Sequence, residues 1–175
     1  LMTASEMARI ITASTLKLAG NNKAVAHMWE LLAQRVTNYV EPQYVSDDML
    51  RGQVDEIDAR ALYAKHYAPV EECGFVTCDF DGVTIGYSPD GLVGADGLIE
   101  CKSRRQRFQV ATIATWEVPP EYVLQLQTGL LVTQRQWLDF ISYSGGLPMA
   151  VIRVHPDDMT QAAIIEAARG FEAKM

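Results

Sequence analysis

Two neighbouring segments of the chain carry acidic and basic side chains at positions where chemistry is possible. Asp90 ends a β-rich stretch in the run Ser-Pro-Asp-Gly, and Glu100 and Lys102 stand at alternate positions near the end of the next such stretch. Because side chains alternate along a strand, Glu100 and Lys102 should share one face. A hairpin between the two strands would bring Asp90 to the same place. Two carboxylates and one ammonium group are therefore expected to converge.

Carboxylates in such proximity repel each other, and a hard divalent cation with oxygen ligands relieves the repulsion. Mg²⁺ is the natural cation, and Mn²⁺ is expected to substitute for it. A cation there could activate a water molecule and stabilise charge on a phosphate, while Lys102 contacts the phosphate or positions the nucleophile. This favours hydrolysis of phosphodiester bonds. The alternative from the residues alone is a surface hairpin with a weak Glu–Lys ion pair, a common pattern in strands.

The elements around these residues indicate an α/β protein with one hydrophobic core. Helices are predicted over 3–18, 23–40 and 46–65, followed by a meander of three strands over 74–80, 83–87 and 98–101. Segment 105–116 is ambiguous, and a helix from Pro119-Pro120 precedes strands over 137–143 and 149–154 and a last helix from about Asp157. We expect a single domain over 1–175, with N-terminal helices in 1–68, the catalytic sheet and helix in 73–154 and a C-terminal helix in 157–175.

Composition narrows the class of protein. The chain has 175 residues, of which 49% are hydrophobic, and it shows neither a membrane-length apolar run nor a signal-peptide pattern. We therefore expect a cytoplasmic protein without a membrane partner. Three cysteines without a CxxC pair argue against a disulfide framework and against a four-thiolate metal site. Because Leu1 is not an initiator methionine, we expect further residues upstream.

Charge gives a mixed indication about nucleic acid. The net charge of -7 disfavours binding to phosphates, yet four basic residues crowd together at Lys102, Arg104, Arg105 and Arg107. A solvated basic turn is the simpler interpretation of that cluster.

The three tryptophans could stack on bases, but Trp29 and Trp137 lie on apolar faces and are predicted to be core, which leaves Trp116 as the candidate. His27, His66 and His155 lack companions at ligand spacing, so no role is assigned to them.

The spacing of Pro89-Asp90 and Glu100-Cys101-Lys102 resembles the PD-(D/E)xK nuclease signature. Segment 51–60, which contains Glu56, is similar to the preceding helix of lambda-exonuclease-like (YqaJ-type) viral recombinases. Segment 122–127, with Gln125, resembles the Gln-x-Gln helix of that family, and segment 3–6 resembles its N-terminal start. The similarity extends from residue 3 to about residue 144. It implies a restriction-endonuclease-like core, in which a central mixed β-sheet is flanked by α-helices.

The resemblance also implies roles for individual residues. The catalytic set would be Glu56, Asp90, Glu100, Lys102 and Gln125. Asp90, Glu100 and the backbone carbonyl of Cys101 would bind the metal, since the Cys101 side chain should face away and pack as a small hydrophobe. Ser5 and Ser88 match the hydroxyl members of a pocket for a terminal 5′-phosphate, whose matching arginine would precede Leu1. Arg104, Arg105 or Arg107 could add phosphate contacts, with Arg107 slightly favoured.

The activity implied is that of a phage-type alkaline exonuclease that degrades double-stranded DNA ends 5′ to 3′. Single-stranded DNA would pass to an annealing protein, and the enzyme would form a ring-shaped homotrimer. One alternative is another nuclease of the same signature, such as an endonuclease or resolvase. A second is a DNA-end-binding recombination module without turnover, which the acidic net charge keeps open. The chain departs from the family at Ser103-Arg104, where Cys-Pro usually follows the lysine.

Overall fold

A computed structural model describes residues 1–42 and 44–175. The helices are α1 (Met7–Ile10), α2 (Asn22–Thr37), α3 (Asp47–His66), α4 (Gln106–Thr115), α5 (Pro120–Thr133) and α6 (Asp158–Glu172), with a 3-10 turn at Ala4–Glu6. The strands are β1 (Met2–Thr3), β2 (Ile11–Thr12), β3 (Lys17–Leu18), β4 (Val76–Asp79), β5 (Thr84–Tyr87), β6 (Gly91–Val93), β7 (Gly97–Ser103), β8 (Trp137–Tyr143) and β9 (Ala150–Val154).

The central sheet has the strand order β6-β7-β8-β9 and is mixed. Strands β6 and β7 are antiparallel, β7 and β8 are parallel, and β8 and β9 are antiparallel. The parallel pair is possible because α4 and α5 carry the chain back between its two strands. The predicted mixed sheet flanked by helices is therefore confirmed.

Alternation along the central strands separates two apolar layers. Leu98 and Phe140 belong to the main core, which α5 and α6 help to build. Ile99 and Ile141 point to the opposite face and pack with Tyr63 of α3. Glu100 therefore shares the face of Leu98 and is directed towards the α5 layer.

The predicted helix over 3–18 is wrong. Residues 2–3 form β1, which pairs in parallel with β5, so that Thr3 is extended, with φ -120 and ψ 156. The Thr3 hydroxyl donates to the Glu6 carboxylate at 3.1 Å instead of capping a backbone amide. Beyond the four residues of α1, β2 and β3 form a hairpin around Leu16 at φ 53. The many β-branched residues of this segment favour extended backbone over helix.

Helices α2 and α3 lie close to the predicted positions and begin at side-chain caps. Asn21 accepts a hydrogen bond from the Ala24 amide, and Ser46 accepts one from the Met49 amide. The buried face of α2, however, differs from the one predicted. Trp29, predicted to be core, is 58% exposed. The reason is that α2 turns the face with Ala24, His27 and Leu31 inward. Helix α3 buries Ala59 and Tyr63.

The predicted meander of three strands is also wrong. The turn at Asp81-Gly82 does form the β4–β5 hairpin, with φ values of 54 and 90. Strand β5, however, lies in a separate sheet of order β1-β5-β4, and β7 pairs with the short strand β6, which was not predicted. Gly91 allows Val70 to pack closely against β6, because a Cβ at this position would lie 2.2 Å from the Val70 side chain. The ambiguous segment is α4, whereas α5, α6, β8 and β9 match their predictions.

Candidate active site

The hairpin of β6 and β7 brings Asp90 and Glu100 together. Asp90 immediately precedes β6, and its Oδ2 atom accepts a hydrogen bond of 2.6 Å from the amide of Cys101. Glu100 is the neighbour of Cys101 on β7. The two acids thus converge as expected, although the strand that pairs with β7 is β6 and not β5. The Cys101 side chain is buried in the apolar layer around Tyr63, on the face of β7 opposite to Glu100.

Glu100 is 2% exposed and accepts three hydrogen bonds. The Lys102 ammonium and the Gln125 amide both donate to its Oε1 atom at 2.6 Å, and the Tyr87 hydroxyl donates to Oε2 at 2.6 Å. Three donors on one buried carboxylate fix its orientation. Tyr87 was missed from the sequence. Its position before Ser88-Pro89-Asp90 was the available signal, since a buried tyrosine hydroxyl usually has a partner.

Other acidic groups crowd around the buried Asp90 carboxyl. Burial, then repulsion from Glu100 and more weakly from Glu56, raises the pKa of Asp90 to about 8, although the hydrogen bond from the Cys101 amide opposes this shift. Burial, together with the neighbouring Glu100 carboxylate, also raises the pKa of Tyr87, which therefore remains a neutral donor. This set of oxygen donors under mutual repulsion fits a hard divalent cation such as Mg²⁺.

Lys102 is the cationic member of the cluster. Burial lowers its pKa, but the Glu100 carboxylate and its hydrogen bond more than compensate, so the net pKa is raised. Its Nζ atom lies 5.6 Å from the centre of the Tyr122 ring on α5. Lys102 therefore remains charged and is suited to contact a phosphate rather than to accept a proton.

Helix α3 contributes Glu56 and Arg60. The Arg60 guanidinium lies 3.8 Å from the Glu56 carboxylate one turn away and donates to the backbone carbonyl of Asp90 at 3.2 Å. This contact ties α3 to the segment that carries Asp90 and places Glu56 at the edge of the acidic cluster. Arg60 was not assigned a role from the sequence, although its spacing from Glu56 is that of a helical ion pair.

Ser5 and Ser88 share a cavity of about 130 Å³ with Gln125 and Tyr87. The parallel pairing of β1 with β5 places the turn that carries Ser5 beside the end of β5. Close packing here requires Gly86, because a Cβ at that position would lie 2.1 Å from the Phe75 ring. Both predicted hydroxyl groups therefore lie beside Gln125 and Tyr87, two of the residues that hydrogen-bond Glu100.

The arginines occupy other positions. Arg104 and Arg105 line a second cavity, of about 450 Å³, together with Arg51. Arg104 donates to the Tyr122 hydroxyl at 2.6 Å, and Arg105 pairs with an aspartate of α3 at 2.6 Å. Arg107 lies over the Phe108 ring at 4.4 Å. Within residues 1–42 and 44–175, none of these three arginines lines the Ser5 cavity.

Two further observations bear on partners. Trp116 is 54% exposed at the end of α4, as a base-stacking residue would need to be, whereas Trp137 is partly buried under the Arg153 guanidinium at 3.8 Å. No helix among the described residues has the length and apolar content required to cross a membrane.

Comparison with known proteins places this geometry in a family. The model of the YqaJ-like viral recombinase domain matches residues 1–136. The structure resembles an alkaline exonuclease (LHK-Exo) from Laribacter hongkongensis with a TM-score of 0.85 and 35% identity over 99% of this chain and 86% of that chain. The same exonuclease in complex with dAMP gives a TM-score of 0.86 at the same identity and coverage.

A more distant neighbour is a phage-related exonuclease from Haemophilus somnus 129PT, with a TM-score of 0.69 and 12% identity over 99% of this chain and 93% of that chain. At this identity the likeness concerns the fold alone. No curated protein sequence gives a significant match. The domain match over most of the chain and the 35% identity to a protein of closely similar structure show that this chain belongs to the YqaJ-like viral recombinase family.

Proposed function

We propose that the chain is a phage-type exonuclease that hydrolyses phosphodiester bonds at double-stranded DNA ends in the 5′ to 3′ direction. The observation that carries this proposal is the buried Glu100, held by Lys102, Gln125 and Tyr87 next to the raised-pKa carboxyl of Asp90. The likeness to an alkaline exonuclease at 35% identity supports the same class of reaction.

Asp90, Glu100 and the Cys101 carbonyl would hold Mg²⁺ or Mn²⁺. When bound there, such a cation would lower the pKa of a water molecule and stabilise charge on the scissile phosphate. Lys102 would donate to a phosphate oxygen, because it is charged and its ammonium group lies next to the Glu100 carboxylate that would hold the cation. Gln125 would keep the Glu100 carboxylate oriented, and Glu56 would help to position the attacking water.

The direction of cleavage would follow from the cavity beside the cluster. Ser5 and Ser88 offer hydroxyl donors to a terminal 5′-phosphate, and Gln125 lies both in their cavity and on Glu100. A strand end held there would place the following phosphodiester next to the carboxylates. Arg104 and Arg105, which line the second cavity, would contact phosphates elsewhere on the DNA. A guanidinium group can bind a phosphate through two parallel hydrogen bonds.

A ring-shaped homotrimer would hold long DNA. The chain carries a net charge of -7, so a single copy has little attraction for a polyanion beyond its basic cluster. Several copies would focus that cluster into one channel. Exposed apolar side chains on α2 and α3 offer surface for contacts between copies, among them Trp29, Val36, Val54 and Ile57. We further propose that the enzyme acts in the cytoplasm of a bacterial host and supplies single-stranded DNA to an annealing protein.

Digestion of a blunt duplex labelled at either end tests this proposal. With Mg²⁺, the 5′ label should be released early and the 3′ label late, whereas chelation should stop both. Covalently closed circular DNA should remain intact. Asp90→Asn serves as the inactive control. Cleavage of the closed circle would indicate an endonuclease, and binding of ends without release of either label would indicate a non-catalytic module.

A further inference from the structure

A second group of potential metal ligands, separate from the acidic cluster around Glu100, lies next to the turn that carries Ser5. Glu6 of that turn and His27 and Glu30 of α2 place one ligand atom each within 4.8 Å of one another. The sequence did not indicate this group, because Glu6 lies on a different element and reaches His27 only when α1 packs against α2. The expectation that His27 has no ligand companions is therefore wrong.

His27 is buried but incompletely paired. Its side chain is 1% exposed, and its Nδ1 atom lies 3.1 Å from a Glu30 oxygen. Its Nε2 atom lies 3.6 Å from a Glu6 oxygen, beyond hydrogen-bond reach, and has no hydrogen-bond partner among the described residues. A buried nitrogen is therefore left without a partner next to a carboxylate, an arrangement that native proteins usually avoid.

We propose that Glu6, His27 and Glu30 form a binding site for a transition-metal cation of the Zn²⁺ class, separate from the acidic cluster around Glu100. An imidazole nitrogen combined with carboxylates is a donor set that such cations prefer, whereas Mg²⁺ favours oxygen ligands alone. One cation would use a lone pair of His27 and neutralise both carboxylates. Water would complete its coordination from the adjoining cavity of about 590 Å³, which His27 and Glu30 help to line.

Arg9 is the group that a cation would displace. Its guanidinium lies 3.5 Å from a Glu30 oxygen and 3.8 Å from a Glu6 oxygen, and its side chain is 51% exposed. These contacts are long, and the exposed side chain is free to turn towards solvent. Arg9 therefore balances the two carboxylates loosely and competes with a metal for them.

A cation bound at this site would also affect the turn that carries Ser5. Ser5 lines both this cavity and the smaller one that contains Ser88, and the Thr3 hydroxyl donates to the Glu6 carboxylate at 3.1 Å. A cation held by Glu6 would tie the turn at residues 4–6 to α2. The binding site itself does not depend on the proposed nuclease activity.

Zinc titration tests the site. The full chain carrying Asp90→Asn and Glu100→Gln, which removes the other carboxylate pair, is stripped with a chelator and titrated with Zn²⁺ by calorimetry. We expect one equivalent to bind. Adding His27→Gln or Glu30→Gln should weaken binding by at least about 10- to 100-fold, because loss of an outer-shell partner alone typically has an effect of that size. Adding Arg9→Gln should strengthen it, because a competing cation is removed. His66→Gln, at an exposed histidine of α3, is the matched control and should change nothing.

Circular dichroism and thermal melting establish that each variant is folded. If His27→Gln does not fold, Glu30→Gln carries the test, because its side chain is partly exposed and its loss should be tolerated. A Co²⁺ absorption band that is lost with Glu30→Gln would report the same ligands independently. The proposal is overturned if Zn²⁺ does not bind, if Glu30→Gln leaves binding unchanged, or if Arg9→Gln weakens it. Absence of binding would indicate that His27, Glu6 and Glu30 only join the turn at residues 4–6 to α2.

Discussion

Replacing Tyr87 by Phe removes one hydroxyl from the acidic cluster while the ring remains. That hydroxyl donates a 2.6 Å hydrogen bond to Glu100, a carboxylate that is 2% exposed. Loss of a donor to a buried charged group typically costs about 1.5–3 kcal/mol. The Tyr87 ring packs against α5, where a Cβ on Gly129 would lie 2.8 Å from it, so the ring itself should stay in place.

The Tyr87→Phe change should also affect the proposed metal site. Without this bond, Lys102 and Gln125 still hold one Glu100 oxygen, but the other oxygen is free to turn. Loss of such an outer-shell partner typically weakens metal binding by about 10- to 100-fold. We therefore expect the Mg²⁺ concentration for half-maximal digestion to rise by about that factor. Because the pKa of Tyr87 is raised by burial, the effect should persist across neutral and alkaline pH.

Tyr63→Phe is the matched control. Its hydroxyl also donates a buried 2.6 Å bond to a carboxylate, that of Asp139, on the opposite face of the central sheet from Glu100. Urea unfolding should show a similar loss of stability for both variants, but only Tyr87→Phe should change the Mg²⁺ dependence. Wild-type Mg²⁺ dependence in Tyr87→Phe, or an equal shift in Tyr63→Phe, would refute the assigned role of Tyr87.

Other perturbations test separate parts of the structure. Asp90→Asn or Glu100→Gln should lower turnover by at least roughly 10³-fold, about 4 kcal/mol of barrier, and near-normal digestion by either folded variant would exclude them from catalysis. A 5′-phosphorylated duplex should be digested faster than its 5′-hydroxyl counterpart, and Ser5→Ala should reduce the difference; equal rates with the parent protein would argue against the pocket. Light scattering should give a mass of about 58 kDa, three times 19.4 kDa, and digestion should continue after competitor DNA is added. A monomeric mass together with digestion that stops at once on addition of competitor would exclude the ring. The Arg35 hydrogen bond lowers the pKa of Glu172 below its ordinary value of 4.5, so its stabilisation should be present at neutral pH and disappear as the pH falls through the lowered value. Glu172→Gln should therefore cost about 0.2–1 kcal/mol at pH 7 and almost nothing in acid, and a cost that does not depend on pH would contradict this origin.

Features that depend on neighbouring residues were predictable from the sequence. Alternation along β7 put Glu100 and Lys102 on one face, and their side chains do meet at 2.6 Å. Ser46 caps the start of α3, and the Asp81-Gly82 turn closes a hairpin. Each of these outcomes is determined by backbone preferences and spacing over a few residues, which a linear pattern records directly.

Contacts between distant segments depended on how the elements pack. Tyr87 meets Glu100 across two different sheets, and Gly91 begins a strand too short to show a period. Trp29 continues an apolar stripe on α2, yet the packing of α1 buries a different face of that helix. His27 gains Glu6 as a neighbour only through the same packing. Side-chain periodicity indicates which residues of one element point together, but the tertiary structure alone decides which element they face, because burial and hydrogen bonding over the whole chain select that arrangement.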